Sequence, residues 1–383
     1  MGRVWETTPP ASDMQRLRSR KLVVSISGGK DSTAVGLYCK RLGLDFDLVH
    51  MNTGWETRDT ERYILERIPE ILGRPVHILV KYPKLDAERE AIALKCEAML
   101  VDSLGPSLHG DNRSAMVRWI LNRAMFPSRT KRYCTQELKI FPFLSWMKQN
   151  TPDDGSGAVN AVGVRAQESA ARSGLPQWEM DDAGYLVWRP LIDWTERDVI
   201  DFHLSSDVGP NPLYLEGAGR VGCFPCIHAS KHQIRYVSER EPVRIAVIRL
   251  LEFEVTRMAK RRALDRGDTF TRQDGRKKFR AFFSNPIYRK EYRRRLREAH
   301  DLGLETDAAA TWAKDRTRAQ LPIDEVLAWT RTRRGSDEVE GLAPPPHATG
   351  CTRWGFCDLS WRSGGADDSK QQQRDLFAVD GKP

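Results

Sequence analysis

A glycine pair followed by a lysine and two polar side chains is the segment of this 383-residue chain with the clearest chemical potential. Residues 21–32 read KLVVSISGGKDS: a β-branched run that predicts a buried strand, then glycines that end it. Apolar residues at helical spacing follow from Ser32 to Leu42. N–H groups at a helix start favour an anion, and glycines let the backbone approach it closely. We therefore predict a phosphate cradle formed by Ser27, Gly28, Gly29, Lys30, Asp31 and Ser32.

Asp31 is unusual beside phosphate unless it caps the helix or helps to hold Mg²⁺. The turn is neither a Walker A loop, G-x-x-x-x-G-K-[ST], nor a G-x-G-x-x-G turn. The alternative is an ordinary strand–turn–helix with a capping serine or aspartate. The position of the glycine turn after the first strand of an α/β pattern favours the phosphate cradle.

Five of the seven cysteines occupy positions typical of metal or thiol chemistry. Cys223 and Cys226 form C-x2-C, Cys351 and Cys357 form C-x5-C, and Cys134 lies in the segment RYCT. The odd cysteine count and the polar N-terminus argue against a disulfide framework. Zinc and iron–sulfur clusters both take four thiolates, so residue type does not separate them. Tail cysteines that bind nothing are the remaining alternative.

These candidate residues need a scaffold, and the chain alternates between short apolar runs and amphipathic segments. Strands are predicted at 21–26, 45–51, 76–81 and 158–164, with an apolar stretch at 186–192 and helices at 32–42, 58–72 and 194–204. This alternation predicts an α/β, Rossmann-like fold, in which helices flank a parallel sheet. Cys39 and Cys96 lie in apolar helical patterns and are predicted to be small core residues.

Composition divides the chain into four predicted segments. They are a lead-in at 1–20, a nucleotide-binding domain at 21–235 with a loop at 205–227, a basic helical region at 236–334, and a linker with a Cys-containing tail at 335–383. The last part of the tail is polar enough to be disordered. No apolar run approaches the ~20 residues of a membrane span, and the N-terminus has no apolar leader. We therefore expect a cytoplasmic protein without membrane contact.

The formal net charge is +9, and arginine and lysine crowd the region 257–297. This excess favours phosphate-rich partners, DNA or RNA. Interleaved aromatic residues could stack bases, namely Phe279, Phe282, Phe283, Tyr288 and Tyr292. Solvated helix faces and buried rings explain the same pattern equally well.

Five ordered segments resemble the phosphoadenosine phosphosulfate (PAPS) reductase family. The turn is similar to the SGGxDS signature of the PP-loop, shared with N-type ATP pyrophosphatases. The other segments are HMNTGWE at 50–56, RYCTQELKIFPF at 132–143, GVRAQESAAR at 163–172, and WRPLIDWTERDV at 188–199 with NPLY at 211–214 and RVGCFPCI at 220–227. The resemblance covers about 20–240 and implies an adenine nucleotide alpha hydrolase-like fold that binds ATP, PAPS or adenylyl sulfate.

The resemblance also extends the predicted nucleotide site beyond the turn. Thr53 and Gly54 would lie near the adenosine and Arg165 near the phosphates, and the further predicted contacts are Arg132, Lys139, Gly163 and Glu168. Several cations in one cleft are what a polyphosphate requires. Catalytic roles are predicted for Lys30, Asp31, Cys134 and Arg165.

Iron–sulfur reductases of this family use a Cys-Cys pair where this chain has Tyr133-Cys134. With Cys223 and Cys226 the chain would supply three ligands, and Cys351 or Cys357 the fourth. The alternative is a zinc or cluster site made by Cys223, Cys226, Cys351 and Cys357. The resemblance favours an iron–sulfur cluster held by four of the five, with Zn²⁺ as the alternative.

The family's reductases carry a nucleophilic cysteine in Glu-Cys-Gly-Leu-His, whereas this tail reads GFCDLSW at 355–361. This departure favours cleavage of ATP to AMP and pyrophosphate, which would activate a substrate for sulfur transfer. Relatives of that kind act in DNA phosphorothioation or accompany CRISPR loci, so nucleic acid and a sulfur-donor protein are the implied partners. One alternative is a PAPS or adenylyl-sulfate reductase with Cys357 as nucleophile. Another is a non-catalytic accessory protein that binds nucleotide or nucleic acid.

Overall fold

A six-stranded sheet in the order β3-β2-β1-β4-β6-β5 forms the centre of the computed structural model. The structure describes residues 3–103, 113–128, 130–151, 157–271, 278–284, 286, 288–333 and 337–338. The strands are β1 (Lys21–Ser25), β2 (Asp47–Met51), β3 (Val76–Leu79), β4 (Ala158–Ala161), β5 (Trp178–Met180) and β6 (Leu186–Trp188), and β7 (Thr332–Arg333) pairs separately with β8 (Asp337–Glu338).

Helices cover both the sheet region and the C-terminal part. They are α1 (Ala11–Arg18), α2 (Lys30–Arg41), α3 (Arg58–Arg62), α4 (Ile68–Leu72), α5 (Ala87–Leu100), α6 (Ala115–Arg123), α7 (Tyr133–Thr135), α8 (Phe141–Asn150), α9 (Ala170–Ser173), α10 (Glu196–Ser205), α11 (Pro212–Leu215), α12 (Lys231–Arg240), α13 (Pro242–Leu264), α14 (Tyr288–Asp301), α15 (Thr306–Arg316) and α16 (Ile323–Thr330). A π-helical turn joins α3 to α4, and another joins α7 to α8. The predicted helix at 58–72 is therefore confirmed as one continuous element. None of the helices in the described ranges has both the length and the apolarity to cross a bilayer.

The central strand β1 has parallel neighbours on both sides. Val24 pairs with Leu48 of β2 and with Ala161 of β4. From β1 the chain adds β2 and β3 on one side and then β4 on the other, so the crevice at the carboxyl ends of β1 and β4 is the expected binding edge of an open α/β sheet. The predicted α/β fold is confirmed, and each of the four predicted strands is found, shortened by one to three residues.

The sheet departs from the predicted parallel arrangement at one edge. β5 is absent from the sequence prediction and pairs antiparallel with β6. The carboxylate of Asp181 accepts hydrogen bonds from the N–H groups of Ala183 and Tyr185, at 3.0 and 2.9 Å, and Gly184 has a φ of +87°. This tight turn reverses the chain and forms a hairpin.

The segments predicted as a lead-in and as a loop both contain helices. The lead-in at 1–20 includes α1, because Trp5 and Leu17 are buried against the sheet domain and hold the segment in place. The loop at 205–227 includes α11, whose start is capped by Asn211 and followed by Pro212.

The apolar interior has two large parts. One lies along the sheet and α2 and contains Cys39, and the other joins α5 and α6 to α13 and α16 and contains Cys96. Both cysteines are fully buried, as predicted, and burial raises the pKa of Cys96 to about 12. The second core contains residues from both sides of the predicted boundary at 235/236. It also includes Phe282 and Phe283, so these two rings pack inside the protein and are not available to stack bases.

Candidate functional site

The glycine turn after β1 is tied together by the side chain of Ser32. Its hydroxyl donates to the carbonyl of Gly29 at 3.0 Å and accepts from the N–H of Ser27 at 3.1 Å. Gly28 has a φ of +71°, and a Cβ there would lie 2.9 Å from Thr60 Cγ2. The turn therefore needs glycine both for its backbone conformation and for its packing. It delivers the first N–H groups of α2 at the carboxyl edge of the sheet.

Gly163 brings the end of β4 against this turn. A Cβ on Gly163 would lie 2.7 Å from the carbonyl carbon of Asp31 and 2.8 Å from the nitrogen of Ser32. Only a glycine permits such a close approach of two backbones. The predicted site residues of the turn and of segment 163–165 are thus brought together.

The cations of the turn are paired with carboxylates inside the chain. Arg165 Nε donates to Asp31 Oδ1 at 2.5 Å, and Lys30 Nζ lies 3.4 Å from Asp31 Oδ2 and 3.1 Å from Glu196 Oε1. Burial opposes the charged form of Lys30, but Tyr214, Asp31 and Glu196 outweigh it and raise the pKa of Lys30 above its ordinary value. Lys30 and Arg165 are both buried and converge on the carboxylate of Asp31, so two cations lie at the start of α2 and are balanced there by Asp31 and Glu196.

Three residues that support the turn were not identified from the sequence. Tyr214 accepts a hydrogen bond from the N–H of Lys30 at 3.3 Å, and its ring centroid lies 5.3 Å from Lys30 Nζ. Asn211 donates to the carbonyl of Gly28 at 3.2 Å. His203 Nε2 donates to the carbonyl of Lys30 at 2.8 Å, and burial lowers the pKa of this imidazole. The NPLY segment and the predicted helix at 194–204 were the available signals, but neither indicated these contacts.

Thr53 and Gly54 lie after β2, the neighbour of β1. The hydroxyl of Thr53 donates to the carboxylate of Glu56, with distances of 2.8 and 2.9 Å to its two oxygens, and lies 3.8 Å from the sulfur of Cys223. Gly54 has a φ of +61°, and a Cβ there would meet Ser114 Cα at 2.7 Å. This segment is therefore fixed by Glu56 and by α6, and it contacts the C-x2-C loop.

The thiols of the candidate site gather around Lys139. Burial raises the pKa of Cys223 to about 11 although Lys139 opposes this, and burial likewise raises the pKa of Cys134. The negative charge that Cys223 would carry is in turn the largest influence raising the pKa of Lys139. The predicted residues Cys134, Cys223 and Cys226 thus lie in one neighbourhood with Lys139.

Within the described residues, no group of three or more His, Cys, Asp or Glu side chains is arranged to hold a metal ion. Cys134 and Cys223 pack instead against the second apolar core. The other two predicted ligands, Cys351 and Cys357, lie outside the described residues. The described thiols by themselves therefore do not fit an iron–sulfur cluster or zinc.

The remaining predicted contacts have different surroundings. Glu168 accepts from the N–H of Arg165 at 3.1 Å, so it orients Arg165 rather than pointing at the turn. Arg132 is exposed at the start of α7.

Arg244 is a buried cation that no sequence pattern indicated. Its guanidinium is fully buried and donates to the carbonyls of Trp55, Phe224, Glu56 and Ser103 at 2.6–3.1 Å. It thereby joins the C-x2-C loop to the segment after β2.

Comparison with known proteins identifies the family. The model of the phosphoadenosine phosphosulfate reductase domain matches residues 153–229. An uncharacterised 37.8 kDa protein in the gpa 5′ region of Escherichia phage 186 is 33% identical over 249 residues, which cover 61% of this chain and 74% of that protein. The chain belongs to the PAPS reductase family. Together with the glycine turn, membership supports a PP-loop protein that binds an adenine nucleotide.

Other similarities are shorter or more distant. An adenosine 5′-phosphosulfate reductase of Burkholderia cepacia is 41% identical over 69 residues, which cover 18% of this chain and 28% of that enzyme. The chain thus matches less than a third of that enzyme's length. The phosphate complex of a PAPS reductase from Candida auris has a TM-score of 0.36 and 18% identity, over 54% of this chain and 82% of that one.

Proposed function

We propose that this PAPS reductase-family protein cleaves ATP between the α and β phosphates and so activates an acceptor for sulfur transfer. The observation that carries the proposal is the PP-loop turn packed against Gly163, with Lys30 and Arg165 converging on its first helical residues. Positive charge and N–H groups fixed at one point suit the charge that develops on a departing pyrophosphate.

The proposed reaction has two balanced steps. An acceptor oxygen attacks the α-phosphorus, the bond from that phosphorus to the bridging oxygen breaks, and pyrophosphate leaves with the electron pair. A hydrosulfide ion supplied by a donor protein then attacks the activated acceptor atom, a bond from that atom to sulfur forms, and AMP leaves with the former acceptor oxygen. Lys30 and Arg165 would neutralise phosphate charge in the first step, and this requires them to exchange Asp31 for the nucleotide.

The two proposed steps use neither Mg²⁺ nor a cluster. Asp31, the carboxylate predicted to help hold Mg²⁺, already lies against Arg165 and Lys30. The three described thiols do not form a metal site with other described residues.

Product identity tests the proposal. The protein, purified without oxygen, is incubated separately with ATP, PAPS and adenylyl sulfate, and pyrophosphate, AMP and sulfite are measured. We expect pyrophosphate and AMP from ATP. Absence of nucleotide turnover combined with measurable nucleotide binding would favour the accessory-protein alternative.

A reductase is the second candidate, supported by the 41% identity to the Burkholderia cepacia enzyme over 69 residues. It predicts sulfite from PAPS or adenylyl sulfate and loss of that product in Cys357→Ser. Under the ATP-cleavage proposal the same variant keeps its pyrophosphate release.

The close approach at Gly163 provides a matched pair of variants. In Gly163→Ala the new methyl group would collide with the backbone of Asp31, displacing the turn and reducing pyrophosphate release on the order of 100-fold. Gly174→Ala is the control, because a Cβ at Gly174 meets no atom within 4 Å. Equal rates in the two variants would contradict the assignment of the site to this turn.

A further inference from the structure

A cationic groove lies apart from the PP-loop, in the C-terminal helical region. Its volume is about 870 Å³, and it is bounded by segments 125–131, 278–284 and 318–322. That volume falls within the roughly 300–1,000 Å³ typical of ligand sites. Lys131, Lys278 and Arg280 line it and are exposed.

These three cations differ from several cations of the neighbouring helices. Among the described residues, no carboxylate forms an ion pair with Lys131, Lys278 or Arg280, whereas part of the helix cations are paired. The paired cations are Arg249 with Asp324, Arg257 with Glu88 and Glu254, Arg261 with Glu88, Arg294 and Arg295 with Glu298, and Arg318 with Glu325. Part of the charge predicted from 257–297 is thus neutralised on the helix faces, whereas Lys278 and Arg280 remain available in the groove.

Aromatic rings accompany the available charge. Phe279 lines the cationic groove and is 39% exposed. An adjoining groove of about 670 Å³ shares Ser284 and Ala319 with it and is lined by Tyr288, Arg289 and Trp329. The two grooves form one path lined by both cations and aromatic rings. Tyr288 stacks on Tyr292, and Lys231 Nζ lies 5.0 Å from the ring centroid of Trp329, so a base would stack on the opposite face of each of these two rings. Such a combination binds the backbone and the bases of a single strand.

The path borders the candidate thiols. Lys131 lies three residues before Cys134, and Ile227, in the wall of the adjoining groove, directly follows Cys226. A strand lying along the path would therefore pass beside the segments that carry two of the three gathered thiols.

We propose that this path binds single-stranded nucleic acid and thereby presents it to the thiols. The inference names the acceptor class for the sulfur transfer proposed above and in that respect rests on it. An acidic protein segment would match the charge, but it would not use the ring faces. Double-stranded nucleic acid would use the cations without inserting bases between the rings.

Binding is tested without added nucleotide, so that its outcome is independent of pyrophosphate release. The full chain is titrated into fluorescein-labelled single-stranded DNA and RNA of about 12 nucleotides, and anisotropy is recorded between about 50 and 200 mM salt. The groove variant is Lys131→Ala/Lys278→Ala/Arg280→Ala. The control, Arg257→Ala/Arg261→Ala/Arg294→Ala, removes the same formal charge from paired positions.

We expect the groove variant to lose affinity about tenfold or more and its log–log salt slope to fall by about 2, since each single-strand contact contributes about 0.7. The control should keep the wild-type slope within about 0.5. Phe279→Ala should weaken binding on the order of tenfold with the slope unchanged. Circular dichroism and thermal melting establish that each variant is folded.

Three results would overturn the proposal. They are equal losses in the two triple variants, tighter binding of a duplex of the same length, and displacement of the oligonucleotide by poly-glutamate at equal charge concentration. If binding is found but ATP turnover is not, the groove assignment stands and the proposed function fails. If ATP turnover is found but no oligonucleotide binds, the proposed function stands and the groove assignment fails.

Discussion

The cations of the PP-loop and those of the cationic groove each carry one positive charge, but the two sets lie in opposite environments. Lys30 and Arg165 are buried and share Asp31, whereas Lys131, Lys278 and Arg280 are exposed and have no ion-pair partner among the described residues. A buried cation needs a partner to offset its desolvation, but an exposed one is solvated by water. The PP-loop must therefore exchange partners when it binds phosphate, and the groove does not.

This exchange of partners lets the PP-loop select among anions as well as bind them. An anion must compete with Asp31 and Glu196 for the ammonium of Lys30, so a weak anion gains little there. Only a ligand that also contacts the N–H groups of the turn replaces all these interactions at once. At the groove, affinity should instead follow the number of phosphates and fall steeply with salt.

The largest expected effect comes from Arg244, the extreme case of a buried and fully partnered cation. Arg244→Ala removes the donor for the carbonyls of Trp55 and Phe224, among others, and leaves Glu241 without its ion-pair partner. We expect the free energy of unfolding to fall by roughly 3–5 kcal/mol. Urea denaturation measures it. Arg249→Ala is the control on the same helix, since Arg249 forms an exposed ion pair with Asp324 worth no more than about 1 kcal/mol. Comparable losses in both variants would show that burial does not distinguish the two cations.

A smaller effect is expected for Lys30, measured on catalysis rather than stability. Lys30→Ala removes one positive charge from the start of α2 and should cost roughly 3–4 kcal/mol of transition-state stabilisation, a loss of pyrophosphate release on the order of 10²–10³-fold. Lys148→Ala removes an exposed charge from α8 and serves as the control. Initial rates at saturating and limiting ATP separate kcat from KM. A change confined to KM would show that Lys30 only binds the ground state.

The sequence was sufficient for the PP-loop because its signals are local. Two glycines, a β-branched strand and a helix start lie within 12 residues, and the same kind of pattern located β2, β3 and β4. Tyr214 and His203 could not be found in this way, since they contact Lys30 across more than 170 residues of chain. The hairpin that adds β5 was missed because it depends on a single aspartate–glycine turn.

Charge counting failed in the basic region for a similar reason. Arg257 and Arg261 contribute to the predicted cluster, yet both are paired with Glu88, which lies about 170 residues earlier. The sequence counts charges, but the packing of α13 against α5 determines that these two are neutralised by Glu88. The distinction between paired and available cations is therefore information that the fold supplies.

The smallest expected effect concerns Glu252, which connects the walls of the cationic groove. Its buried carboxylate accepts from the N–H of Phe282 at 2.9 Å and from that of Ile323 at 3.0 Å, and burial raises its pKa to about 7. The folded state therefore keeps a proton that the unfolded chain releases above its ordinary pKa of 4.5. The free energy of unfolding should accordingly fall as the pH rises from 4.5 to about 7, by roughly 2–3 kcal/mol for this group.

Glu252→Gln removes this titration while keeping one carbonyl acceptor. Urea denaturation of both proteins across that pH window gives the difference directly: the variant should be less stable than the wild type at acid pH, and the gap should narrow as the pH rises. Phe282 and Ile323, the partners of Glu252, are close in sequence to Arg280 and Pro322, which line the cationic groove. Oligonucleotide affinity should therefore also depend on Glu252. If the free energies of unfolding of the two proteins change in parallel with pH, this carboxyl does not keep its proton in the folded state. The groove walls would then be held together by a carboxylate that is charged throughout the range.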